Sequence, residues 1–119
     1  MMKRVVGKTR LVVSIIGFGG IKLPLIDRKT THETLNRALD LGINFFDTAR
    51  SYGDSEEKMG WAISERRNEF YVSTKSAALT AKEMEKDIGR SLKNLRTDYI
   101  DIYMCHNLRY SVDYEKVMG

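Results

Sequence analysis

Four side chains able to move protons or hold charge stand where apolar, strand-like runs end. Asp47 closes the run 44–46, and Tyr52 follows it by five residues. Lys75 closes 70–74, and His106 comes just after 99–104. Taken singly each has a plainer reading: a turn cap for Asp47, packing for Tyr52, a solvated strand end for Lys75, a satisfied histidine for His106. Their common placement at the C-terminal ends of successive strands is what a shared site needs.

The combination has a chemical rationale. A free phenol titrates near pH 10, too high for an efficient acid near neutrality. An ammonium beside a phenol favours the phenolate, and a carboxylate beside the ammonium keeps it charged under partial burial. A histidine can donate a hydrogen bond to a carbonyl oxygen and orient it. Such a set protonates an oxygen that is becoming an alkoxide and stabilises the developing charge. General acid assistance of this kind contributes ~10²–10⁴ in rate. The hydride such a reaction needs must come from a cofactor, because no side chain supplies one.

The elements that must hold these residues can be read from periodicity and helix ends. Runs rich in β-branched and aromatic residues at 14–18, 44–46, 70–74 and 99–104 alternate with helical stretches, which predicts βα units and a parallel sheet. Thr30 to Glu33 reads as a capping box that starts a helix with Leu35, Ala38 and Leu39 on one face and Gly42 as its stop. Ser55 starts a second helix with Met59, Ala62 and Ile63 inward. Thr80 and Glu83 form another capping box, followed by Met84, Ile88, Leu92 and Leu95 on one face. Residues 2–13 read as a hairpin turning at Gly7 and Lys8, 22–29 as a loop around Pro24, and 107–119 as a polar tail without a closing element.

Twenty Lys and Arg against 16 Asp and Glu give a net charge of +4. The excess is concentrated in residues 1–30, where Lys3, Arg4, Lys8, Arg10, Lys22, Arg28 and Lys29 face the single acid Asp27. No stacking aromatics interleave with these cations, so the run reads as a solvated surface and not as a nucleic-acid interface. No apolar stretch approaches the ~20 residues of a membrane span. The single cysteine, Cys105, excludes an internal disulfide and a zinc-type cluster and reads as a buried strand residue. No metal site is expected, and the expected compartment is the reducing cytoplasm. Gly17 to Gly20 lacks the third spaced glycine and the following helix of a dinucleotide fingerprint.

Three longer motifs carry a family resemblance. Gly42 to Glu56, Ser73-Thr74-Lys75, and Ser91 to Ile102 leading to His106 resemble signatures of the aldo-keto reductase family, and Gly7 to Gly19 also fits. The resemblance implies a parallel (β/α) barrel of the TIM type, present as about its first four βα units behind an N-terminal β-hairpin. Residues 1–119 would then be the N-terminal portion of a single (β/α)8 domain. It implies Tyr52 as proton donor, Lys75 and Asp47 as the pair that tunes it, and His106 as the group that orients the carbonyl. It implies NADPH or NADH as cofactor, with Gly20, Ile21 and Asp47 near the nicotinamide ribose. The substrate would be a small carbonyl compound lying against Tyr52, His106 and Asn107.

An eight-stranded barrel typically takes ≈ 250 residues, so four units leave two open edges that invite self-association. Two readings stand at this point. The chain is the tetrad-bearing part of a reductase, or it is a non-catalytic half-barrel, a fragment or interaction module inactive alone. A reductase-like regulatory subunit, as in potassium-channel β subunits, is a minor third.

Overall fold

The computed structural model describes residues 1–107 and 114–119. Strands β1 (Lys3–Val5) and β2 (Val12–Ser14) pair antiparallel around a turn in which Gly7 takes φ +51°. Strands β3 (Phe18–Gly19), β4 (Phe45–Asp47), β5 (Tyr71–Ser76) and β6 (Ile102–Cys105) form a second, all-parallel sheet in sequence order. Helices α1 (Arg28–Asp40), α2 (Ser55–Ile63) and α3 (Ala81–Leu95) supply the crossovers, and a short α4 (Tyr114–Met118) packs on α3. This is the βα repeat that the sequence predicts, in the form of a parallel β/α-barrel segment. Among the described residues, no helix is long and apolar enough to cross a membrane.

Strand alternation decides which side chains meet the helices and which meet the concave face. Phe46 and Val72 point outward into the core, at 0 % and 1 % exposure, against Leu35 and Leu39 of α1 and Met59 and Ile63 of α2. Phe46 also packs its ring on Phe18 and Phe70, with centroids 5.6 and 5.3 Å apart. Asp47, Ser73 and Lys75 have the opposite parity. Asp47 is directly opposite Ser73 in the β4–β5 register, and Lys75 is opposite Met104.

Several expected boundaries move, each for a visible reason. The run 14–18 is not one strand. Ser14 donates from its hydroxyl to the Ile16 carbonyl at 2.6 Å, and its amide donates to the Asn44 side chain at 2.6 Å. These bonds turn the chain, so β2 joins the hairpin and only Phe18–Gly19 enters the parallel sheet. Helix α1 starts three residues early, because Asp27 accepts the Thr30 amide at 2.7 Å and serves as N-cap in place of Thr30. The expected capping box at Thr80 is present in half: Thr80 accepts the Glu83 amide, while the Glu83 carboxylate takes the Leu79 amide instead of its own cap residue.

The loop 22–29 contains structure of its own, a 3₁₀ turn over Gly20–Leu25. Beneath it lies Lys58, only 8 % exposed, whose ammonium donates to the carbonyls of Leu23 and Ile26 at 3.1 and 2.5 Å. The polar tail does carry a closing element, since Val117 of α4 is 1 % exposed; its residues 108–113 lie outside those described. Cys105 is half-buried rather than sealed in the core, with its sulfur 3.6 Å from that of Met118.

Candidate active site

Lys75 is the centre of the site. Its ammonium donates to both carboxylate oxygens of Asp47 at 2.9 Å and to the Thr48 carbonyl at 2.7 Å. All three of its protons are thereby engaged. The lysine side chain is 12 % exposed and that of Asp47 34 %, so the pair is sheltered on one side and open on the other. Asp47 also accepts a hydrogen bond from Ser73 at 2.5 Å. The register explains this contact, because Ser73 and Asp47 are opposite one another on the same face.

Tyr52 reaches this pair from the loop after β4. Its amide donates to Ala49 O and its carbonyl accepts from Ser55, so the residue sits in a tight turn just before α2. Gly53 makes the turn possible twice over. It takes φ +51°, and a Cβ there would lie 3.2 Å from the Pro24 ring. The Lys75 nitrogen lies 5.1 Å from the centroid of the Tyr52 ring, a cation over an aromatic face. The ammonium thus meets the phenol at its ring. Among the described residues, no hydrogen bond reaches the tyrosine hydroxyl.

His106 completes the group. Its ring stands nearly perpendicular to that of Tyr52, at 86° and 5.7 Å between centroids, and its backbone amide donates to Ser76 O across the sheet. Its Nδ1 is 3.1 Å from the hydroxyl of Ser51. The structure therefore brings Asp47, Tyr52, Lys75 and His106 together. Ser51, Ser73 and the Thr48 carbonyl belong with them and were not singled out from the sequence. Period-two alternation could have found Ser73, two residues before Lys75. Ser51 had no such signal, since its contact joins residues 55 positions apart.

The remaining expected contacts are placed less centrally. Gly20 is buried, and its carbonyl accepts from Ser55, which in turn accepts from Thr48. A Cβ at Gly20 would lie 2.7 Å from the Ser55 hydroxyl and 2.8 Å from Asp47 O. Close packing against β4 and α2 thus accounts for this glycine. Ile21 is 56 % exposed. Asn107 is exposed and left-handed at φ +55°, just past β6.

Parallel strands with the ionisable residues clustered at their C-terminal ends define a β/α-barrel protein with its site in the usual place for that architecture. A model of the Aldo/keto reductase family matches residues 15–119, and the chain belongs to that family. It is 34 % identical to L-galactose dehydrogenase from Arabidopsis thaliana, over 90 % of this chain and 38 % of that protein. It is 38 % identical to aldo-keto reductase YhdN from Bacillus subtilis, over 82 % of this chain and 34 % of that protein. The holo form of aldo-keto reductase AKR11C1 from Bacillus halodurans superimposes with a TM-score of 0.92 at 29 % identity, covering 98 % of this chain and 44 % of that one. The chain thus spans well under half the length of these relatives.

Proposed function

We propose that this chain is the N-terminal portion of a single (β/α)8 domain and carries the proton-transfer half of an NAD(P)H-dependent reductase that converts aldehydes or ketones to alcohols. The observation that carries the reading is the Lys75 ammonium, clamped by both oxygens of Asp47 and held against the Tyr52 ring, with His106 across from it.

Each residue then has a role. When Ser51 donates to Nδ1 of His106, the ring proton resides on Nε2, which can donate to a carbonyl oxygen and orient it. Tyr52 delivers a proton to that oxygen as the carbonyl carbon is reduced. Lys75 offsets negative charge left on the phenol, and Asp47 with Thr48 O fixes where that positive charge sits. A bound nicotinamide supplies the hydride. The residues present suit its reacting end: Asp47 keeps a third of its side chain open, and Ile21 presents an exposed apolar surface at the loop after β3. Asn107, just past His106, would line the substrate side.

Reduced-nicotinamide oxidation with a panel of small aldehydes and ketones, comparing the parent with Tyr52→Phe, tests this. The expected result is a loss of turnover of ~10²–10⁴ with cofactor binding retained. Undiminished turnover in Tyr52→Phe would refute the assignment.

A second reading has its own observation. Ile15 and Ile16, just before β3, and Met104, within β6, are 52, 53 and 39 % exposed at the two outermost strands of the sheet. Exposed apolar residues at sheet edges favour self-association of a non-catalytic half-barrel. Sedimentation of the 119-residue chain distinguishes it: a monodisperse monomer argues against this reading, and concentration-dependent association supports it.

A further inference from the structure

We propose that Arg50 is a positioning residue that sets the Tyr52–Lys75 contact from outside the barrel, through the carboxylates of Glu56 and Asp87. The inference deepens the reductase reading and rests on it for its catalytic consequence.

The argument starts from the strand. Lys75 faces the site, so its neighbours Thr74 and Ser76 face the helices. Thr74 is fully buried and donates its hydroxyl to Glu56 of α2 at 2.8 Å. Ser76, 1 % exposed, donates to Asp87 of α3 at 2.5 Å. Both carboxylates then face one guanidinium. Arg50 donates from Nη1 to Glu56 at 3.0 Å, and its Nε lies 3.8 Å from Asp87. The arginine backbone joins the same strand directly, its amide donating to Lys75 O at 3.0 Å. The chain of contacts runs Arg50, Glu56, Thr74, Lys75 backbone, Ser76 and Asp87, and its return to Arg50 is a longer ion pair at 3.8 Å in which the buried Nε makes no hydrogen bond.

Arg50 precedes Tyr52 by two residues, so these contacts couple the tyrosine loop to the lysine strand on the face opposite the reaction. Glu56 is 2 % exposed, which leaves its ion pair little screened by salt. The planar fork of arginine suits a bridge between two carboxylates, whereas a lysine ammonium is a single point charge on a mobile stem. Asn94 and Arg90 also reach Glu56 and Asp87, at 3.5 and 3.1 Å, so the acids keep a partner when Arg50 is altered. Mild variants should therefore fold.

The test compares the parent with Arg50→Lys and Asp87→Asn, and repeats Arg50→Lys in a Lys75→Met background. Steady-state kinetics are read beside the ligand-free proton spectrum of the Lys75 Hε groups, which are expected upfield because the ammonium they adjoin lies 5.1 Å from the Tyr52 ring centroid. The expected result for each mild variant is a fall in kcat on the order of ten- to a hundredfold with KM unchanged, as for small misplacements of reacting groups. The Lys75 resonances should return toward their unperturbed positions, and Arg50→Lys should add nothing once Lys75 is gone. Variants that melt earlier but keep the Lys75 signal and kcat would show Arg50 to be scaffold only and overturn the proposal. An altered Lys75 signal with unchanged kcat overturns it too. If the parent itself shows no turnover, the reductase reading fails, while the resonance arm still decides whether Arg50 sets the Tyr52–Lys75 contact.

Discussion

Replacing Gly60 by alanine should destabilise the fold even though alanine is the better helix former. Gly60 lies buried in α2 where that helix crosses the end of α3. A Cβ there would sit 2.2 Å from Asn94 O and 2.7–2.8 Å from the backbone of Leu95. Ordinary contact begins near 3.4 Å, so the helices must separate by roughly 1.2 Å. The obstructing atoms are backbone and cannot rotate aside. Overpacking of this kind costs about 1–3 kcal/mol, and the upper part of that range applies here. The gain in helix propensity returns only about 1 kcal/mol. A net loss of about 1–2 kcal/mol is expected, which lowers Tm by ~4–8 °C in a domain of this size. Gly89 on α3 is the control, since a Cβ there meets nothing within 4 Å. Gly89→Ala should raise Tm by ~2–5 °C through propensity alone. Thermal melting followed by far-ultraviolet circular dichroism reads both. A Gly60→Ala protein that melts at or above the parent would refute the claim that backbone-to-backbone packing of α2 on α3 demands this glycine.

Three further outcomes follow from individual contacts. Lys58→Met should cost about 1–3 kcal/mol by leaving the Ile26 carbonyl without a donor and the Leu23 carbonyl with only the Ile26 amide; amide exchange in 20–26 should quicken while that of α3 stays as it was. The Thr30 amide holds the Asp27 carboxyl below its ordinary value of 3.8. That contribution is therefore complete above about pH 4 and disappears as pH falls through the lower folded value. Asp27→Asn should flatten the acid limb of Tm against pH, and an unchanged limb would contradict the cap. Burial, with Glu56 and Asp87 nearby, raises the Tyr103 phenol above 10.0, against the opposing hydrogen bond to Ser91. The unfolded chain then ionises first, so stability should fall as pH rises past 10, and less steeply in Tyr103→Phe. Equal alkaline loss in both proteins would remove Tyr103 as the cause.

The parallel repeat and the clustered tetrad were legible because they rest on local rules. Alternation in 70–74 puts Lys75 on a defined face, and the end of an apolar run marks where a strand delivers its last residue. The spans that misled were those in which a side chain overrides the local pattern. Ser14 and Asn44 divide an apparently continuous strand, and Asp27, rather than the better-looking capping box at Thr30, starts α1. Among the described side chains of α4 only Val117 is buried, too little for a periodic signal.

Motifs, residue type and strand parity are properties of the chain alone: the longer motifs carried the family resemblance, alternation gave the βα units, and the ends of the apolar runs marked the four ionisable side chains. Distance between remote segments is not such a property. That Lys75 meets the Tyr52 ring rather than its hydroxyl and that Ser51 holds His106 depend on how the loops after β4 and β6 meet beside β5, and that Arg50 faces two acids from different helices depends on how closely α2 and α3 pack. Gly60 sets that approach through an interhelix contact that leaves no mark in the local pattern. Only the packed tertiary structure could decide it.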